Sequence, residues 1–347
     1  MNTRIIKIDE NKIEENLIDQ AANVIKTGGI VAFPTETVYG LGANGLDEDA
    51  VKNIYKAKGR PSDNPLILHI STIEEIAPLV EEIPELAYDC MRRFWPGPLT
   101  IILKKSRIIP NIISAGLDTV AIRMPDHPIA SRLIAKSGVP IAAPSANLSG
   151  RPSPTMASHV VEDMMGKIQM IIDGGETGVG LESTVLDLST DTPTILRPGG
   201  ITLEDLRELI DNVILDESIT NKNGIPKSPG QKYRHYAPNA EMILYIGDIE
   251  RVVDEIKKQA EKLIYEGKNV GIMATEETKD RYSQGRVLVS GSRFKRETIA
   301  HNLFDILRSF DELNVDIILA EGVNFDNIGM AIMNRLIKAA SGKLIKL

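Results

Sequence analysis

Apolar residues recur along this chain in two alternating rhythms, one of period two and one near 3.6. The run Ile5-Ile6-Lys7-Ile8 reads as a strand; Leu17, Ile18, Ala21, Ala22 and Ile25 then fall at helical spacing until Gly28-Gly29 stops them. Ile30 to Phe33 predicts a second strand, broken by Pro34. Asp47 is placed to cap a helix that keeps Val51, Ile54 and Tyr55 on one face and stops at Gly59, ahead of Pro61. Further strands are expected over Leu66 to Ile70, Leu99 to Leu103, Val120 to Arg123, Val139 to Ala143, Met170 to Asp173, Thr184 to Leu188 and Thr194 to Leu196. Helical spacing lies between them, as in Pro128 to Lys136, and a short helix over Thr202 to Ile210 closes this half. Proline and glycine interrupt it too often for a regular strand-helix-strand repeat, so the pattern predicts a twisted, open, mixed α/β sheet flanked by helices over residues 1–211.

From 212 to 240 the periodicity fades into turn formers, ending Ser228-Pro229-Gly230-Gln231-Lys232-Tyr233-Arg234-His235-Tyr236-Ala237-Pro238, which reads as a linker. Regular alternation returns over 241–347: strand Met242 to Ile246, helix Ile249 to Glu266, strands Val270 to Ala274 and Val287 to Ser290, helix Phe294 to Arg308, strand Ile317 to Ala320 and helix Ile328 to Ala340. That order predicts a smaller, Rossmann-like domain with a parallel sheet. Gly329 stands alone where a dinucleotide fingerprint needs three glycines, so the outline does not imply NAD.

Composition narrows the class. At 347 residues, 42% hydrophobic and 25% charged, the chain suits roughly two domains of ~150 residues. No apolar run approaches the ~20 residues of a membrane helix. Met1-Asn2-Thr3-Arg4 leads into a strand-like run rather than a signal-peptide core, so a soluble, cytoplasmic protein is expected. Cys90 is the only cysteine, which excludes an internal disulfide and a Cys-x-x-Cys site. The five histidines, His69, His127, His159, His235 and His301, show no metal-ligand spacing, so no dedicated metal cage is expected. Mg2+ could still arrive on a phosphate ligand.

Against a net charge of -8, the stretch Lys52, Lys56, Lys58, Arg60 contains no acid. Few, concentrated cations on an acidic protein point to a small anionic ligand rather than a nucleic-acid duplex, which rewards a broad basic face. Walker, kinase and nucleophile-elbow motifs are all missing. What remains is a set of hydroxyls, amides and cations at strand ends and loops: Thr35, Thr37, Lys58, Arg60, Asn64, His69, Thr119, Arg123, Ser145, Asn147, Ser183 and Arg197. Taken singly each has a plainer reading. Lys58 and Arg60 also suit a helix C-terminus, Arg123 a surface ion pair, Arg197 loop carbonyls, Ser145 and Asn147 a turn, and the glycines of Gly174 to Gly180 a mobile loop.

Phe33 to Gly42, Lys58-Gly59-Arg60, Asn64-Pro65-Leu66, Trp95-Pro96-Gly97-Pro98-Leu99-Thr100, Ala121-Ile122-Arg123-Met124-Pro125, Pro144-Ser145-Ala146-Asn147, Glu182-Ser183-Thr184 and Arg197-Pro198-Gly199 together resemble the YrdC-type threonylcarbamoyl-AMP synthases. The linker and the Rossmann-like half resemble the long form of that family. The resemblance implies that L-threonine, bicarbonate and ATP are joined into threonylcarbamoyl-AMP and pyrophosphate, for threonylcarbamoylation of tRNA adenosine by a partner transferase complex. It implies a nucleotide site at Arg60, Asn64, Thr119, Ser145, Ser153 and Arg197 with Tyr236, and a threonine site at Thr37, His69, Arg123, Ala143 and Ser183. Lys58, Arg60, Ser145 and Asn147 would control charge at the reacting phosphate. Mg2+ would come with ATP, and no organic cofactor is expected.

The linker, with Tyr236 beside Lys232, Arg234 and His235, has three readings: a lid over the site, a spacer, or an RNA contact. Two other functions fit the same fold. A purely RNA-binding or ribosome-associated module would leave the cation set unexplained. A hydrogenase-maturation carbamoyltransferase would need cysteine-rich zinc fingers that a single cysteine cannot supply.

Overall fold

The computed structural model describes residues 1–220 and 235–347. These divide into two compact units. One holds residues 1–149 and those from 153 to 220; the other holds Gly150–Pro152 and residues 235–347.

In the first unit, eleven strands among the described residues form one sheet: β1 Arg4–Lys7, β2 Val31–Phe33, β3 Gly40–Asn44, β4 Ile67–His69, β5 Leu99–Lys104, β6 Thr119–Arg123, β7 Ile141–Ala142, β8 Met170–Asp173, β9 Thr184–Asp187, β10 Thr194–Arg197 and β11 Ile214–Leu215. Their order is β1-β8-β2-β3-β7-β4-β6-β5-β9-β10-β11. Parallel and antiparallel pairs are mixed: β4 runs parallel to β6 but antiparallel to β7, and β5 runs antiparallel to β6 but parallel to β9. The mixed sheet read from the sequence is what forms.

Helix Glu48–Lys58 shows why the local signals are legible. Asp47 accepts from the backbone N–H of Asp49 and Ala50, and Gly59 ends the helix at φ 61°. Helices Glu15–Lys26 and Pro128–Ser137 bury Ile18, Ala21, Ala22 and Ile25 against Ile129, Leu133 and Ile134, over Val31, Phe33 and Ile141 of the sheet. This apolar layer supports the strands whose ends carry the polar residues.

β3 was not among the expected strands, because Gly40-Leu41-Gly42-Ala43-Asn44 has weak strand propensity. It forms because its glycines admit the Phe33 ring: a Cβ on Gly42 would lie 2.6 Å from that ring and 2.8 Å from the Ile141 side chain. The linker expected over 212–240 is also divided. β11 pairs in parallel with β10 and extends the first sheet, while Ala237 N donates to Gly150 O at 3.0 Å within the second unit. Ser228 to Arg234 lie outside the described residues.

The second unit has a five-stranded sheet of β12 Glu241–Ile246, β13 Val270–Ala274, β14 Arg286–Val289, β15 Ile317–Glu321 and β16 Leu344–Lys346, ordered β14-β13-β15-β12-β16. Every pairing is parallel, as the alternation predicts. Helix Ile249–Tyr265 buries Val252, Val253, Ile256 and Ala260 against Ile272 and Leu319. At the end of β15 the Glu321 carboxylate is enclosed and accepts from Thr275, Thr278, Tyr282 and Arg293. That network leaves neither oxygen without a donor, as a buried carboxylate requires.

Candidate active site

The polar strand ends of the first unit converge because β7 is wedged antiparallel between β3 and β4. Beyond β7 the chain runs beside the start of β3: Leu41 N donates to Pro144 O at 2.7 Å, Gly40 bridges to Ser145, and Ala146 N donates to Tyr39 O at 2.8 Å. The Ala143-to-Asn147 segment is thereby held against the Thr35–Tyr39 loop. A Cβ on Gly40 would come 3.3 Å from that of Ala143, so the glycine permits this approach.

Lys58 fixes the same segment from the other side. Its Nζ donates to Ser145 O at 2.5 Å, to Asn147 O at 2.7 Å and to Asn147 Oδ1 at 3.4 Å. An ammonium has three donors, and these three contacts all go to one loop. Lys58, expected as the phosphate-side cation, is 3% exposed and contacts Ser145 and Asn147. Ser145 Oγ in turn donates to Asn147 Oδ1 at 2.5 Å. Arg60 stands where the helix opens onto a groove of about 530 Å³ shared with Lys52, Tyr55 and Lys56. Its Nη2 donates to Asn64 O at 3.2 Å and its guanidinium lies 5.9 Å from the Tyr55 ring centre. Thr119 opens β6 two residues before Ala121, which pairs with Ile67, three residues after Asn64. Arg60, Asn64 and Thr119 therefore lie toward the starts of β4 and β6.

The opposite ends of those strands carry the other set. His69 pairs in register with Arg123, and Arg123 with Thr100. The Thr100 and Ser183 hydroxyls are 2.8 Å apart, and Arg197 donates to Ser183 through Nε to O at 3.0 Å and Nη2 to Oγ at 3.1 Å. One hydrogen-bonded chain thus links Thr100, Ser183 and Arg197, with Arg123 opposite Thr100 in the strand register. Ser153 donates to Glu182 at 2.6 Å, next in sequence to Ser183. Thr37 is fully buried, its hydroxyl 2.9 Å from that of Thr35. Burial, and then the charge of Arg123, push the His69 pKa down to about 3, so the ring is neutral at physiological pH.

Glu36, Thr100, Thr177 and Glu182 complete the arrangement and were not singled out from the sequence. Three of them lie inside motifs quoted above, which was the available signal. Arg123 Nη2 is 2.6 Å from Glu36 Oε1, an ion pair whose N–H points off the line of a hydrogen bond. The loop of glycines is also held, since Tyr39 OH donates to Gly175 O at 2.7 Å, Thr177 N to Thr155 O at 3.0 Å and Val179 N to Glu36 O at 2.7 Å. Tyr236 belongs to the second unit. There its ring stacks on Phe304 at 5.2 Å and lies 5.8 Å from the Arg335 guanidinium.

Several buried polar atoms in the first unit have no hydrogen-bond partner: both Glu36 oxygens, Asn64 Nδ2, His69 Nδ1, Arg123 Nη2 and Thr177 Oγ1. Each such group costs about 1–3 kcal/mol when left unsatisfied; those of Glu36 and Arg123 belong to one ion pair, and His69 lies beside Arg123 in the strand register, while Asn64 lies toward the opposite strand ends.

The chain matches two family profiles. Residues 23–199 match the Sua5, YciO and YrdC family, described as telomere recombination, and residues 201–341 match the threonylcarbamoyl-AMP synthase C-terminal domain. It is 52% identical to the threonylcarbamoyl-AMP synthase of Pyrococcus abyssi over 99% of both chains, and 51% identical to that of Bacillus subtilis over 97% of both. Its fold matches the crystal structure of P. abyssi Sua5 complexed with L-threonine at a TM-score of 0.95 and 51% identity, covering 99% of this chain and 100% of that one. With both profiles in sequence order and relatives aligned from end to end, the chain belongs to the YrdC-type family in its long form, that of the threonylcarbamoyl-AMP synthases.

Proposed function

We infer that the chain is an L-threonylcarbamoyl-AMP synthase, a nucleotidyltransferase converting L-threonine, bicarbonate and ATP into threonylcarbamoyl-AMP and pyrophosphate. The observation that carries this reading is the hydrogen-bonded chain Thr100–Ser183–Arg197, with buried Arg123 opposite Thr100 in the strand register and buried polar atoms without partners at Glu36 and His69. Two buried guanidiniums a few side chains apart suit a ligand with two anionic ends.

Arg123 would take the substrate carboxylate in its planar fork, with Thr37, His69, Ala143 and Ser183 around it. Arg60, Asn64, Thr119, Ser145, Ser153 and Arg197 would hold the nucleotide. No protein nucleophile is needed. Threonine's ammonium and bicarbonate condense to a carbamate with release of one water and one proton, a carbamate oxygen attacks the α-phosphorus, and pyrophosphate leaves as the Pα–O bond to it breaks. The residues supply alignment and charge stabilisation. Among the described residues no three His, Cys, Asp or Glu side chains are grouped to hold a metal, and Glu36 and Glu182 face Arg123 and Ser153. Mg2+ would fit as a passenger on the triphosphate, held by phosphate oxygens and water, where it would neutralise the leaving pyrophosphate.

The mixed anhydride product is hydrolysable, so it would pass to a transferase acting on tRNA, which sets the reaction in the cytoplasm. No helix among the described residues is long and apolar enough to cross a membrane. The test is pyrophosphate release by purified protein. It should require ATP, threonine and bicarbonate together, and release that ignores threonine or bicarbonate would refute the reading.

A further inference from the structure

Arg123 is 4% exposed, and Glu36, the one carboxylate paired with it among the described residues, has both oxygens buried without a hydrogen bond. Isolated burial of such a pair is costly, because the mutual attraction rarely repays the lost hydration unless the remaining lone pairs are satisfied. Here they are not satisfied by the protein. The Thr35 and Thr37 hydroxyls bond to one another, Thr35 also donates to the Val38 carbonyl, and His69, held neutral, adds no charge. Glu36 is therefore the negative charge beside Arg123, with open acceptor positions.

We propose that Glu36 binds the α-ammonium of the amino-acid substrate, so that Arg123 and Glu36 together select a zwitterion. This rests on the reading in which Arg123 holds the substrate carboxylate. The charges of the Arg123–Glu36 pair sum to zero, and a zwitterion laid against the pair meets each charge with its opposite. A monoanion of the same shape leaves Glu36 unmatched and repelled. The loop that carries Glu36 is fixed by the Val179 N–H on its carbonyl and by the packed Thr35 and Thr37, so the carboxylate is presented from a rigid backbone. Glu36 is thus a specificity-determining residue that sets the nitrogen's position before carbamate forms.

The experiment compares threonine with 2,3-dihydroxybutanoate, which replaces the amine by a hydroxyl, and with threonine amide, which lacks the carboxylate. Binding to purified full-length protein is measured by calorimetry. Wild type should bind threonine in preference to both. In Glu36→Gln the site becomes cationic: threonine should weaken about 10- to 150-fold, as expected for loss of a charge-assisted hydrogen bond, and the hydroxy acid should bind more tightly than it does to wild type. An unchanged preference for threonine over the hydroxy acid in Glu36→Gln overturns the proposal. Glu36→Asp keeps the charge and guards against misfolding of the amide variant. It should retain the preference for threonine, and equal binding of the hydroxy acid to it overturns the proposal too. Wild-type binding of threonine amide as tight as threonine would refute the Arg123 reading itself, a failure distinct from that of Glu36.

Discussion

Lys58 Nζ donates to the Asn147 carbonyl at 2.7 Å, joining residues 89 positions apart and leaving Ser145 and Asn147 no freedom to drift from the end of β3. The same ammonium makes two further bonds to this loop, so losing it should release both Ser145 and Asn147. Lys58→Ala should therefore lower pyrophosphate release by roughly 10- to 150-fold, the equivalent of one charge-assisted hydrogen bond. Lys58→Arg should do no better, because a planar fork cannot direct three donors from one apex. Substantial rescue by Arg in steady-state assays would mean that the cation's charge, rather than its geometry, is what the reaction uses.

The Thr100–Ser183 contact lends itself to a double-mutant cycle. Ser183→Ala leaves the Thr100 hydroxyl buried without that partner and takes an oxygen from Arg197 Nη2, so the KM for threonine should rise about 5- to 100-fold. Thr100→Val should also impair binding. The pair together should cost less than the sum, since replacing both partners removes the unsatisfied group. Strict additivity in KM would show that the two hydroxyls do not act as one unit.

His69 makes stability depend on pH in a defined window. Its pKa in the fold, about 3, lies below the ordinary value of 6.5, so the unfolded chain takes up the proton first as pH falls. This contribution is complete above about pH 6.5 and is lost progressively toward pH 3. Between pH 7 and 5 the loss should be roughly 2 kcal/mol from His69 alone. Trp95, the chain's one tryptophan, lies in the first unit and reports its unfolding separately. Urea melts followed by its fluorescence should show a smaller loss between pH 7 and 5 in His69→Gln than in wild type. Equal losses would place the titration elsewhere.

Substituting Gly42 tests the backbone fit that brings β3 beside β7. Gly42→Ala would put a methyl group 2.6 Å from the Phe33 ring and 2.8 Å from Ile141, both in the core. Overpacking of this kind costs about 1–3 kcal/mol, and the Trp95-monitored midpoint should fall accordingly. Because β3 and β7 position Ser145, activity should fall even at temperatures where the variant stays folded. A variant as stable and active as wild type would mean that the Phe33 ring can yield.

Signals confined to a few residues were legible in advance: the Asp47 cap, the Gly59 stop, the buried stripes of helices Glu15–Lys26 and Ile249–Tyr265, and the parallel alternation of the second unit. What escaped depends on partners distant in sequence. β3 exists because Phe33 fills the space its glycines leave, and β11 because the edge of β10 was available for pairing. The same holds at the site. Residue type marked Lys58 as a cation and Arg123 as a fork, but only tertiary neighbours decide that Lys58 faces carbonyls and that Arg123 faces Glu36. A charge pattern read along a chain does not say which charges are already matched.

His69 Nδ1 and Thr177 Oγ1, both buried without hydrogen bonds, predict how the side chain of the substrate is read. A pocket that offers polar atoms to a hydroxyl penalises an analogue that lacks it, because those atoms stay unpaired after binding. Valine is close to isosteric with threonine and should be used at least roughly 100-fold less well in kcat/KM. His69→Leu should narrow that ratio from the threonine side, by lowering threonine turnover while leaving valine nearly unchanged. Pyrophosphate release measured with each amino acid across the two proteins decides the matter. Comparable use of valine and threonine by wild type would move the side-chain pocket away from His69, and an unchanged ratio in His69→Leu would leave Thr177 or another hydroxyl as the group that reads the substrate.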